Sequence, residues 1–294
     1  MTDLSHIADC DFEFDSPIAP HTSFRIGGVC KAIAHPKTEG ALVGLCKCLA
    51  ESKEKYTILG NGTNVLFPSE GYDGVVVITS ALSAITVCED RITAGCGASI
   101  TKVSAAARDN GLSGFEFAFG IPGSVGGAVY MNAGAYGGCV SDILVSSTVC
   151  DTKGNIRTLP AKEHRFGYRD SVFMHGEFTV LSSTFALKKG NAADIGKKCE
   201  EYIAARRDKQ PLELPSAGSV FKRGDGFITS KVIDECGLKG LRSGGAEVST
   251  KHAGFIVNTK GATSGDVIAL IDKVRSEVLK KTGYSLECEI RIIR

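Results

Sequence analysis

Gly120-Ile-Pro-Gly-Ser-Val-Gly-Gly-Ala-Val-Tyr-Met-Asn-Ala-Gly-Ala135 is the stretch on which the reading of this chain turns. From Gly120 to Gly138 there are seven glycines and few of the large apolar residues that build a core. Glycine lets backbone N–H groups approach an anion closely and point at it together. A segment this long and this rich in glycine is more than a connecting turn. A shorter segment, Gly60-Asn-Gly-Thr-Asn64, has the same character, although alone it reads equally well as a turn. Two such loops can clamp the two sides of a pyrophosphate. No intact GxGxxG is present, so a Rossmann dinucleotide site is not expected, and GxxxxGK[ST] is absent as well.

Outward from these loops, strand and helix patterns alternate irregularly. Lys31–Ala34 and Tyr56–Leu59 read as strands, and Leu42, Leu45, Cys46 and Leu49 mark a helix between them. Val75–Ile78, Ile85–Cys88 and Arg91–Ala94 read as strands joined by short turns. Ile100, Val103 and Ala107 mark a helix with Ser99 as N-cap and Gly111 as its stop. Beyond the long glycine segment, strands are expected at Ile143–Cys150 and Thr179–Leu187, then a helix over Ala192–Lys209 closed by Pro211. That helix and Pro211–Pro215 read as a domain joint. Helices follow over Lys231–Cys236, stopped by Gly237, and from Thr263/Ser264 to Gly283. In the last segment Leu286, Cys288, Ile290 and Ile292 alternate with Glu287, Glu289 and Arg291, the pattern of a strand with one apolar and one charged face. The fold class is α+β, with mixed or antiparallel sheets and helices packed on them.

Composition excludes several functions. The 294 residues suffice for two or three cores, and 43% hydrophobic with 23% charged is the balance of a soluble globular protein. A net charge of +1 with no basic tract argues against a nucleic-acid partner, so any anionic ligand needs a local site. Residues 1–15 carry five Asp/Glu and no Lys or Arg, unlike a secretory signal, and no run of about 18 apolar residues occurs. A cytoplasmic protein is expected. The eleven cysteines are irregularly spaced and lack CxxC, so free, mostly buried thiols and no metal site are expected.

Four further features can carry chemistry. In Tyr168-Arg-Asp-Ser171, Arg169 can hold a carboxylate through its planar fork and Tyr168 can steer it, although a surface Arg–Asp pair is the commoner meaning. In Ser216-Ala-Gly-Ser-Val-Phe-Lys-Arg223, Ser219 can donate a proton and Lys222 and Arg223 can meet phosphate, although a Ser in a tight turn is the plainer reading. It is not a GxSxG elbow. Glu289, on the charged face of the final strand, reads on its own as a solvated carboxylate.

Taken in order, His21-Thr-Ser-Phe-Arg-Ile-Gly-Gly28, Ile58-Leu-Gly-Asn-Gly-Thr-Asn64, Gly120–Ala135, Tyr168–Ser171, Ala217-Gly-Ser-Val-Phe-Lys222 and the closing Glu287-Cys-Glu-Ile290 resemble one family, the UDP-N-acetylenolpyruvoylglucosamine reductases, also called MurB. The resemblance runs from about residue 16 to the C-terminus. It implies a two-part FAD module of the vanillyl-alcohol-oxidase/PCMH type, residues 1–80 and 81–200, and a substrate domain, 201–294. It implies non-covalent FAD held by Gly60, Asn61, Gly62, Thr63 and Asn64 and by Gly120, Pro122, Gly123, Ser124, Gly126, Gly127 and Ala128. NADPH is the implied hydride donor, and the product is UDP-N-acetylmuramate for peptidoglycan. Arg169 and Glu289 match the residues that stabilise the charged intermediate and Ser219 the one that protonates it. Tyr168, Lys222 and Arg223 match substrate contacts. A monomer acting on small molecules, with no nucleic acid or membrane partner, is expected.

The chain departs from the family pattern in places. Thr179–Leu187 runs almost directly into the next helix, leaving no room for the Tyr-bearing loop of the longer branch. Arg223 stands where that branch has Asn, Gly224–Ser230 is atypical, and Cys288 replaces a usual Pro. A PCMH-type oxidase of a hydroxy acid or sugar is the competing enzyme reading, and a non-enzymatic flavin binder the competing class. The trio Arg169, Ser219 and Glu289 argues against the oxidase.

Overall fold

The structure is a computed structural model that describes residues 4, 7–176 and 178–294. Helices and sheets are mixed in the α+β manner expected. The chain forms two compact units, each assembled from separated segments. One comprises Met1–Phe14, Lys31–Asn61 and Gly74–Ala205, and the other Asp15–Cys30, Gly62–Asp73 and Arg206–Arg294. Each unit takes segments from both halves of the sequence.

In the first unit, α1 (Glu39–Glu51) starts where the Thr38 hydroxyl accepts from the Ala41 N–H, and its Leu42, Leu45, Cys46 and Leu49 face the core. Strand Tyr56–Leu59 runs parallel to Val75–Ile78. A five-stranded antiparallel sheet follows, in the order Ile156–Pro160, Leu144–Asp151, Phe178–Ala186, Arg91–Gly95, Ile85–Cys88. Helix α2 (Ile100–Asp109), capped by Ser99, lays Ile100, Val103 and Ala107 against it. The edge strand Ile156–Pro160 escapes the sequence reading because it buries only Leu159 and has no apolar alternation.

The glycine stretch corrects an expectation. Val125–Tyr130 forms a short helix, α3, whose Val125, Ala128 and Val129 are buried in the core. Small residues build core here because the backbone itself approaches its neighbours. Val125 and Gly126 donate N–H to the Ala98 and Cys96 carbonyls, each at 2.8 Å. The Cys96 thiol beside them is pushed up to about 12 by burial and stays protonated. Helix α4 (Ala192–Lys209) starts soon after strand Phe178–Ala186 ends, with no inserted loop.

In the second unit, strands Ser216–Ser219, Phe255–Asn258, Ala246–Val248 and Arg242–Ser243 make an antiparallel sheet. Helices α5 (Thr229–Glu235) and α6 (Ser264–Thr282) pack with each other, and α6 lies along the strands. Helix α6 has a capping box of Thr263 and Asp266 and a left-handed C-cap at Gly283. Phe24, Ile26 and Leu66 join Val267, Leu270, Ile271, Val274 and Val278 in one core.

The final segment also differs from the reading. Instead of a continuous strand over 286–292, regular pairing holds only at Arg291–Ile292, parallel to Val65–Leu66. Upstream, the Glu287 carbonyl accepts from the Lys222 N–H and the Glu289 N–H donates to the Val220 carbonyl. The segment changes partner between Glu289 and Arg291, and that interrupts the ladder.

Candidate functional site

The first unit brings the two glycine loops together. The Asn61 side chain donates from Nδ2 to the Pro122 carbonyl at 2.8 Å. Gly60 faces Ser124 so closely that a Cβ there would lie 1.8 Å from the Ser124 hydroxyl oxygen. That hydroxyl caps α3 by accepting from the Gly127 N–H at 3.2 Å. The Gly120 N–H is taken by the Thr101 hydroxyl, and Ala128 donates to the Ser124 carbonyl. The N–H groups of Gly60, Asn61, Gly123 and Ser124 meet no acceptor among the described residues. Grouped backbone donors of this kind are chemically suited to an anion. Gly126, Gly127 and Ala128 supply close-packed backbone, their N–H groups being spent within the protein.

Arg169 sits at the tip of a tight turn closed by two hydrogen bonds between Gly167 and Asp170, with its own backbone left-handed at φ +55°. Its guanidinium donates to the Gly134 carbonyl at 2.9 Å and, more weakly, to that of Asn132 at 3.4 Å. It also lies 5.0 Å from the centre of the exposed Tyr168 ring. Two carbonyls therefore hold part of the donor fork of a half-buried Arg169, whose guanidinium is suited to a planar carboxylate. Asn132 was not anticipated from the sequence. It is buried, donates to the Gly167 carbonyl at 2.9 Å and accepts from the Ser141 N–H at 3.0 Å, linking the turn to the glycine segment. The available signal was an Asn embedded between Met131 and Ala133 in the quoted stretch.

In the second unit, Gly62 has a left-handed backbone, φ +59°, and a Cβ would lie 2.2 Å from the His21 carbonyl oxygen. The Gly62 carbonyl accepts from the Ser23 N–H at 3.1 Å, and the Ser23 hydroxyl bonds the Ser216 carbonyl at 2.6 Å. The motif at 21–28 thus joins the loop at 62–64 to the strand that carries Ser219. The N–H groups of buried Gly62 and of Thr63 meet no acceptor among the described residues.

Ser219 ends strand Ser216–Ser219 opposite Phe255, just after an irregularity in the register. Val220 follows, bonded to Gly254 on one side and Glu289 on the other. Ser219 and Glu289 are therefore neighbours through one backbone pairing, and both are half-buried. The Asn64 side chain donates to the Glu289 carbonyl at 3.3 Å. Lys222 is paired by its ammonium to Glu287 at 2.5 Å, a carboxylate the sequence reading gave no role. Arg223 is exposed at the start of the atypical loop, where Thr229 bonds the Lys222 carbonyl and the Gly224 N–H and Phe227 stacks on Tyr284 at 4.2 Å.

Comparison with known proteins gives two family matches and several near-full-length relatives. Residues 30–160 match the family described as FAD binding domain, and residues 210–293 match that described as UDP-N-acetylenolpyruvoylglucosamine reductase, C-terminal domain. The UDP-N-acetylenolpyruvoylglucosamine reductase of Clostridium perfringens (strain SM101 / Type A) is 44% identical over 283 residues, 96% of this chain and 93% of that protein. That of Lactococcus lactis subsp. cremoris (strain MG1363) is 42% identical over 292 residues, 99% of this chain and 98% of the relative. Among solved structures, the UDP-N-acetylenolpyruvylglucosamine reductase (MurB) of Thermus caldophilus superposes with a TM-score of 0.82 at 30% identity, covering 97% of this chain and 99% of the other. With this identity sustained over nearly its whole length, the chain belongs to the UDP-N-acetylenolpyruvoylglucosamine reductase family.

Proposed function

We propose that the protein reduces UDP-N-acetylglucosamine enolpyruvate to UDP-N-acetylmuramate with NADPH, using non-covalently bound FAD, as a step of peptidoglycan precursor synthesis. The observation that carries this reading is the near-full-length identity to reductases of that name. FAD held by the glycine loops would supply the hydride-transfer chemistry between NADPH and the substrate. The N–H groups of Gly60, Asn61, Gly123 and Ser124 in one unit, and those of Gly62 and Thr63 in the other, meet no acceptor among the described residues, which supports a role for each set toward the FAD pyrophosphate. Asn64, Gly120, Pro122, Gly126, Gly127 and Ala128 shape the backbone around it. Residues 1–80 and 81–200 supply the flavin-binding segments and 201–294 the substrate-binding one.

The remaining roles follow from charge. Hydride addition to the terminal carbon of the enolpyruvyl group places negative charge on the adjacent carbon, delocalised into the carboxylate. Arg169 binds that carboxylate and stabilises the charge. Tyr168 steers it. Glu289 serves as a neutral hydrogen-bond donor, since a bare carboxylate would repel the charge. Ser219 delivers the proton to the carbon bearing the ether oxygen. Lys222 and Arg223 meet the diphosphate, Lys222 by exchanging Glu287 for it. The protein works as a monomer in the cytoplasm, on small molecules, with no nucleic-acid or membrane partner. Among the described residues no helix is long and apolar enough to cross a membrane.

The visible spectrum of the purified protein tests the proposal. A flavin band should bleach with NADPH and return on anaerobic addition of the enolpyruvyl sugar. A flavin reduced by NADPH yet indifferent to that sugar would point to another substrate, and a flavin untouched by NADPH to a protein that is not a reductase.

A further inference from the structure

We infer that Tyr136 and Tyr202 form an aromatic clip that positions the guanidinium of Arg169, an inference that rests on the proposed role of Arg169. The two rings lie parallel, 4.1 Å between centres and 4° between planes. The Tyr136 hydroxyl donates to the Tyr202 carbonyl at 3.0 Å. Tyr202 belongs to α4, and the Lys198 ammonium of the same helix lies 6.0 Å from its ring centre.

Tyr136 lies in a place that selects against it. It opens the two-residue turn of a hairpin in which Ala135 faces Gly138 and Gly134 faces Cys139. Both turn residues are left-handed, Tyr136 at φ +52° and Gly137 at +85°. Such turns prefer Asn-Gly or Gly-Gly, and a bulky residue at the first position is strained there. The stack and the hydroxyl bond offset that strain by fastening the turn to α4. The first strand of this hairpin, Gly134–Ala135, begins at the carbonyl that matters, because Gly134 accepts the 2.9 Å hydrogen bond from Arg169. Asn132, two residues upstream, accepts the second and ties the Arg169 turn back to this strand through Gly167. A path of direct contacts thus runs from α4 through Tyr136 and Gly134 to the guanidinium. Loosening the hairpin turns or shifts the fork without removing its charge, and a misplacement of about 1 Å costs on the order of 10²-fold in rate.

The test compares Tyr136→Ala, Tyr202→Ala and the pair, each as flavin-loaded full-length enzyme, by stopped-flow of the two half-reactions. Each alanine variant should slow oxidation of the reduced flavin by the enolpyruvyl sugar by about 10-fold or more, with flavin reduction by NADPH within about twofold of wild type. The pair should be no worse than the poorer single variant, because both changes open one contact. Tyr202→Phe keeps the ring and the backbone acceptor, so it should restore most of the rate lost in Tyr202→Ala. Equal slowing of both half-reactions overturns the inference, since it reports a damaged fold. Slowing confined to Tyr136→Ala overturns it too, because Tyr136 then acts by direct contact. Fast alanine variants beside a slow Arg169→Lys overturn the clip alone, whereas a fast Arg169→Lys overturns the reading of Arg169 and the clip with it.

Discussion

Gly60→Ala offers the sharpest test of the flavin cradle, because its consequence is set by one contact. The added methyl carbon would sit 1.8 Å from the Ser124 hydroxyl oxygen and 2.6 Å from Ser124 Cβ. Rotation of the hydroxyl alone leaves the Cβ clash, so one loop must move by about an ångström. Forced overpacking of this kind costs about 1–3 kcal/mol. Loss of the Ser124 cap on α3 adds about 0.5–2 kcal/mol. The displaced groups include the N–H donors of Gly60, Asn61, Gly123 and Ser124. With half of the cost falling on the bound state, FAD binding weakens by about 3- to 60-fold, at about 1.4 kcal/mol per tenfold. Titration of apoprotein with FAD, followed by flavin fluorescence, measures the loss. Ser124→Gly removes both clashing atoms and costs only about a few tenths of a kcal/mol as a cap, so Gly60→Ala/Ser124→Gly should bind more tightly than Gly60→Ala alone. A Gly60→Ala protein with wild-type affinity, or a second change that fails to rescue it, would refute the contact argument.

Arg169→Lys keeps the charge and loses the fork, so oxidation of reduced flavin by the enolpyruvyl sugar should slow by about 10²–10³-fold. Reduction by NADPH, followed at the flavin band, should be unchanged. Ser219→Ala should bind FAD and accept hydride from NADPH normally but turn over little, and Ser219→Cys, with a more acidic proton, should retain more activity. Wild-type turnover in the alanine variant would assign the proton to another group. Glu289→Gln, which keeps donors and shape, should retain more activity than Glu289→Ala in steady-state assays, and the reverse order would argue against a neutral donor at 289. His164 is fully buried, and burial lowers its pKa while Ser147 and the Pro160 carbonyl occupy its ring nitrogens. Its contribution is complete above the unfolded value of about 6.5 and is lost as pH falls from there toward the lower folded value. The Tm should drop over that window, and less so in His164→Leu.

Much of the fold was legible where signals are local. Thr263/Ser264 and Gly283 bound α6 in the sequence as they do in the structure, and Ser99 starts α2 by its cap. The glycine loops were legible as backbone that must come close to something. What could not be read is which chain segment each loop approaches. Gly62 is required by the His21 carbonyl and Gly60 by Ser124, and neither partner is near in sequence. Strand Ile156–Pro160 and the change of partner at Glu289 were hidden for the same reason, because pairing decides them and local pattern does not.

Glu289 shows how that distinction bears on chemistry. Alternation from Leu286 to Ile292 puts it beside Glu287 and Arg291 on a solvated face. Yet Glu287 is well exposed, its side chain 71% accessible, while Glu289 is half-buried. Around Glu289 the N–H is held by Val220 and the carbonyl by Asn64, and the Glu287 side chain reaches out to Lys222. The same sequence pattern therefore contains one exposed carboxylate paired with a cation and one half-buried carboxyl beside the Ser219 strand. Only the pairing of 287–289 with 220–222 separates them.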